Sequence, residues 1–228
     1  MKYKAIIFDL FGTLIDTSSR AEYERVLAQM AVVLKAPRID FTKLWFDTFD
    51  LRTSGVLTCP EGNINYICRQ LGVVFTEDQL NRASAIRFNF IIESLVPRPD
   101  TLATLGFLKA NDYRVGLITD CSSEVPMVWK DTPMASLIDV PVFSCIERVK
   151  KPDARIYQRA LQRLVVDARD CLYIGDGSSR ELSGASAVGM HPVMIRVPHE
   201  TSPDAYRIDE EEWQGVTISS LTEVMDLL

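Results

Sequence analysis

The sequence predicts an α/β fold: a parallel sheet with an all-helical module inserted after its first strand. Three observations carry this. Short apolar runs rich in β-branched residues alternate with helical patterns through the second half of the chain, as buried parallel strands and their crossover helices do. A stretch of nearly 80 residues close to the start holds helical patterns and no convincing strand. And 228 residues, 47% hydrophobic and 25% charged, suit one large domain or a core plus a smaller unit, while excluding a disordered, collagen-like or coiled-coil chain.

In order, Ala5–Phe8 is the first strand, continuously apolar and so buried on both faces. Helices are expected near 20–35, 40–53, 61–71 and 77–95, punctuated by Pro37, Gly55, Pro60 and Gly72. Ser19 with Glu22, and Thr76 with Gln79, have capping-box spacing. Pro97 and Pro99 close the insert. A helix at Thr101–Ala110 and strands at 113–119 and 140–144 follow. Then come a helix at 153–165, strands at Cys171–Gly175 and 192–197, and a last helix at 219–228. The expected division is a core of 1–17 and 96–228 with an inserted unit of 18–95.

The net charge of −6 lacks the basic stripe of a nucleic-acid surface. Cys59, Cys68, Cys121, Cys145 and Cys171 are odd in number and show no CxxC spacing. That argues against a disulfide scaffold or a zinc site and for a reduced, cytoplasmic chain. No apolar run reaches membrane length. The expected partner is therefore a small molecule, neither nucleic acid nor membrane, with the chain a monomer or homodimer.

The candidate chemistry lies at strand ends, where ligands bind in open parallel sheets. Asp9 follows the first strand, and Thr119-Asp120 ends the second. Lys150-Lys151-Pro152-Asp153 precedes a helix whose proline suits the first turn. Gly175-Asp176-Gly177 follows a later strand, with Glu181 about one helical turn on. Two carboxylates there suit a hard divalent cation. Singly, each residue has a bland reading: a turn-forming Asp, a satisfied strand-end Thr, a solvated Lys, an acidic first helical turn.

Their order is more specific. Acid, hydroxyl, lysine and acid pair at or near successive strand ends resemble the four motifs of the haloacid dehalogenase superfamily of hydrolases, over essentially the whole chain. The resemblance implies a Rossmann-like core and a helical C1-type cap. It implies Asp9 as covalent nucleophile, Thr119 (with Asp120) holding a phosphoryl oxygen, and Lys151 neutralising charge. It implies Mg²⁺ held by Asp9, the Phe11 carbonyl, Asp176 and Glu181. A Mg²⁺-dependent phosphatase acting on a small phosphorylated metabolite through an aspartyl-phosphate follows.

One position departs from the pattern. Phosphatases of the family carry a general acid–base aspartate two residues after the nucleophile; here Phe11 stands there. Asp16, Asp120 or a cap side chain are the substitutes in the sequence. The alternatives are a 2-haloacid dehalogenase, which has an aromatic residue at that place, or a weakened binding or regulatory module. Against the dehalogenase, Trp45 is followed by Phe46 rather than arginine, and Gly175-Asp176 is intact.

In the insert, Trp45, Phe46, Phe49 and Leu51 are expected in the apolar seam or facing the core. Arg52, beside the Gly55 loop, is either a solvated charge or a contact for an anionic substrate. His191 is expected to be structural and His199 solvated.

Overall fold

The computed structural model describes residues 2–198 and 207–228. Six parallel strands form one sheet: β1 (Ala5–Phe8), β2 (Arg114–Thr119), β3 (Val140–Phe143), β4 (Cys171–Gly175), β5 (His191–Ile195) and β6 (Thr217–Ile218), in the order β3-β2-β1-β4-β5-β6. Chain order runs outward on both sides of β1, so the switch in strand order lies beside β1. Ligands bind above such a switch, at the carboxyl ends of the strands.

The sheet is buried on both faces because successive side chains point oppositely. Ile6 and Phe8 of β1 pack in one cluster with Leu105, Leu117 and Ile174. Ala5 and Ile7 pack in another with Ile156, Tyr157 and Tyr173. Helix α6 (Thr101–Ala110) contributes to the first cluster, and α9 (Ala154–Leu164) with α10 (Glu181–Ala187) to the second.

Between β1 and β2 the chain forms α1 (Arg20–Leu34), α2 (Arg38–Asp47), α3 (Phe49–Thr53), α4 (Pro60–Gln70) and α5 (Glu77–Ser94). They share their own core of Leu27, Met30, Phe41, Trp45, Ile64 and Ile67. Thr76 and Gln79 complete a full capping box at α5. At α1 the Ser19 hydroxyl accepts from the Glu22 amide. The helix expected at 40–53 is two helices, because the chain breaks at Thr48, whose hydroxyl donates back to the Leu44 carbonyl at 2.6 Å.

Two short helices follow strand ends, α7 (Glu124–Val128) after β2 and α8 (Ser144–Glu147) after β3. The expected last helix is a 3-10 helix over Leu221–Leu227. Strand β6, two residues long, gave no sequence signal. Among the described residues no helix is long and apolar enough to cross a membrane.

Candidate active site

The carboxyl end of β1 holds Asp9, whose amide donates to the Ile174 carbonyl of β4 at 2.9 Å. Backbone pairing thus continues past the strand and fixes the aspartate. Lys151 Nζ donates to Asp9 Oδ1 and to Glu181 Oε2, each at 2.5 Å. All three side chains are buried. Glu181 opens α10, yet it does not project into solvent. Its Oε2 also accepts from the Tyr173 hydroxyl at 2.8 Å, and its Oε1 from the Gly177 amide at 3.0 Å. A side chain at Gly175 would place Cβ 2.2 Å from Glu181 Oε1, so only glycine admits this carboxylate.

Asp176 closes the cluster. Its Oδ1 accepts from the Ser178 amide at 3.0 Å and its Oδ2 from Arg207 Nε at 2.7 Å. Gly12, at φ +81°, leaves room for it, since a Cβ there would meet Asp176 Oδ2 at 2.3 Å. Ligand-capable oxygens of Asp9, Asp176 and Glu181 lie within 4.8 Å of one another. Burial, reinforced by Asp176, pushes Asp9 up to about 6 despite Lys151. Burial and Asp9 hold Glu181 well above the usual carboxylate range. Burial disfavours the charged form of Lys151, but Asp9 and Glu181 outweigh it and keep the ammonium charged. Three hard oxygen donors crowded into a buried, acid-rich space fit a divalent cation. Arg207 already competes for one of those oxygens.

Beside this cluster lies a cleft of about 160 Å³ between the strand ends and the inserted helices. Asp9, Phe11, Asp120 and Lys151 line it from the core; Arg52 and Arg87 line it from the insert. Thr119 is fully buried, and its hydroxyl has no hydrogen-bond partner among the described residues. Asp120 Oδ1 accepts from the Lys151 amide at 3.0 Å, while Oδ2 is shielded from solvent and has no hydrogen-bond partner among the described residues. Burial raises the Asp120 pKa, opposed by Lys151. Asp16 lies elsewhere, 48% exposed and bonded to Arg98 at 2.8 Å.

Arg52 is 2% exposed, so the solvated alternative is excluded. It lies over the Trp45 ring at 4.6 Å and donates to Thr48 Oγ1 at 2.7 Å. Phe46 and Phe49 line the cleft, and Trp45 is in the insert's core. Lys150 is the more solvated of the lysine pair and meets Asp50 at 2.9 Å. His191 touches the Arg169 carbonyl and the edge of Tyr3, a structural placement. His199 lies outside the described residues.

Sequence reasoning missed Arg87, Glu124, Tyr173 and Arg207. Arg87 had a findable signal: it sits four residues from each of Ala83 and Ile91, on the buried face of α5. Glu124 and Arg207 show themselves only through contacts between distant segments, and Tyr173 only once β4 and α10 pack together.

The model of the haloacid dehalogenase-like hydrolases matches residues 3–189. The chain belongs to that family of hydrolases, with the helical insertion between β1 and β2. Among its relatives is the glyceraldehyde 3-phosphate phosphatase of Pyrococcus abyssi, 28% identical over 85% of this chain and 81% of that protein. Another is the (S)-2-haloacid dehalogenase H-109 of Pseudomonas putida, 26% identical over 82% of each. A family enzyme of Bacteroides thetaiotaomicron, solved with magnesium and inorganic phosphate, shares the fold at a TM-score of 0.65 and 18% identity, over 93% of this chain and 97% of that one.

Proposed function

We propose that the protein is a Mg²⁺-dependent phosphatase of a small phosphorylated metabolite, with residues 18–95 as its cap. The observation that carries this reading is the buried cluster of Asp9, Asp176 and Glu181 around Lys151, beside the unpartnered Thr119 hydroxyl. Asp9, Asp176 and Glu181, with the Phe11 carbonyl, would hold the cation, which when bound offsets the charge of the phosphoryl oxygens.

The protein's own groups do the rest. Lys151 fixes Asp9 through Oδ1 and balances charge at the reacting centre. Thr119 donates its free hydroxyl to a phosphoryl oxygen. An Asp9 oxygen attacks phosphorus and the bond to the leaving oxygen breaks, giving an aspartyl-phosphate. Asp120 replaces the acid missing at Phe11: its shielded Oδ2 carries the proton given to the leaving oxygen. The resulting carboxylate then takes a proton from the water that attacks the aspartyl-phosphate, restoring Asp9. General acid–base help of this kind contributes roughly 10²–10⁴-fold.

The test is phosphate release from aryl and alkyl phosphates, with Mg²⁺ and with EDTA. Turnover with Mg²⁺ that EDTA abolishes is the expected result. Phe11 and the Arg207–Asp176 pair favour one other reading, a metal-independent dehalogenase. Chloride release from 2-chloropropionate in EDTA, with every phosphate untouched, would establish it.

A further inference from the structure

The roof of the cleft carries charge that the chemistry above does not use. Arg87 of α5 is 4% exposed and reaches across to Glu124 of α7, Nε to Oε1 at 3.3 Å. Its Nη1 is buried and unpartnered among the described residues. The guanidinium lies over the rings of Tyr23 at 5.0 Å and of Trp45 and Phe90 at 5.5 Å. Arg52 lies over the same Trp45 ring. Two buried guanidiniums therefore share one indole. Burial opposes the charge on Glu124, but Arg87 and a bond from Ser122 outweigh it and hold its carboxyl below the ordinary range. One anion faces two cations, and a single positive charge is left over. A buried positive charge without a counter-charge is costly, and both guanidiniums line the cleft.

We propose that Arg87 and Arg52 form a second anion subsite, and that the substrate is a bifunctional phosphate whose far end carries a carboxylate. This rests on the phosphatase reading and names its substrate class. One surplus positive charge matches a monoanion, and a second phosphate dianion would overshoot it. The free Nη1 edge beside flat aromatic walls suits a planar carboxylate, which guanidinium recognises by paired hydrogen bonds.

The test compares 4-carboxyphenyl phosphate with 4-carbamoylphenyl phosphate, and 3-phosphonooxypropanoate with its amide. Wild type is expected to favour the acid in at least one pair by about tenfold or more in kcat/KM, as charged hydrogen bonds allow. Arg87→Lys should keep part of that ratio. The double variant Arg87→Met, Glu124→Gln, which removes both charges and strands neither, should bring it to within about twofold of unity, the residue left to Arg52 alone. An ion pair that merely latches insert to core would leave the ratio unchanged, and an unchanged ratio overturns the proposal. So does a wild-type ratio near one in both pairs. If no phosphate is hydrolysed, the phosphatase reading falls, and calorimetry decides the subsite separately. Tighter binding of 4-hydroxybenzoate or 3-hydroxypropanoate than of the matching amide, lost in the double variant, supports it. Equal binding overturns it.

Discussion

The floor and the roof of the cleft have opposite electrostatic characters. The floor, at the carboxyl ends of β1, β2 and β4, gathers Asp9, Asp120, Asp176 and Glu181 against Lys151 and Arg207. It has more acids than bases. The roof sets Arg52 and Arg87 on aromatic rings, and among the described residues they face one acid, Glu124 of the core's α7. It has more bases than acids. The floor can hold a cation and position a nucleophile, whereas the roof can hold an anion and choose a substrate. On the proposed reading, the chemistry falls to the sheet and the selectivity to the inserted helices, and each side is expected to change a different kinetic constant.

The largest effect is expected at the centre of the floor. Asp9→Asn removes the proposed nucleophile and should lower kcat by roughly 10⁴-fold or more, measured as phosphate release. Asp120→Asn should lower kcat by roughly 10²–10³-fold on alkyl phosphates. On activated aryl phosphates the loss should be much smaller, because a good leaving group needs no proton. An equal loss on both would place Asp120 in binding rather than proton transfer. Arg207→Ala frees Asp176 Oδ2 and should lower the Mg²⁺ concentration for half-activity by about tenfold, given the strength of a charged hydrogen bond. If Arg207 instead takes the cation's place, the same variant loses activity and Mg²⁺ fails to restore it. The smallest effect belongs to the roof: Trp45→Phe should raise KM for a carboxylated substrate by about 2–5-fold through weaker guanidinium–ring contact, with kcat little changed.

The same division explains what was legible in the sequence. Strands β1 and β4 and helix α6 match their expected bounds, because continuous apolar runs and helical apolar patterns are local signals. The acids of the floor stood out for the same reason, since each lies at a strand end or about a helical turn beyond one, and Lys151 stood out by preceding a helix that opens at Pro152-Asp153. The roof was not. Arg52 read as readily as a solvated side chain, and Glu124 lies in a five-residue helix with no pattern of its own. Arg207 meets Asp176 across 31 residues of sequence. Such pairings depend on how separate segments pack, which no local period encodes. The break of the 40–53 helix at Thr48 was also hidden, because it comes from a side-chain bond and not from a proline or glycine.

On the proposed reading, the acid-rich floor works with a divalent cation on a phosphoryl group. The most direct measurement follows phosphate and chloride release in parallel, from an aryl phosphate and from 2-chloropropionate, while Mg²⁺ is titrated from EDTA-treated protein. Phosphate release that rises from zero and saturates with Mg²⁺, with no chloride at any concentration, is the predicted result. Chloride release independent of Mg²⁺, with no phosphate released, would show a metal-independent dehalogenase instead.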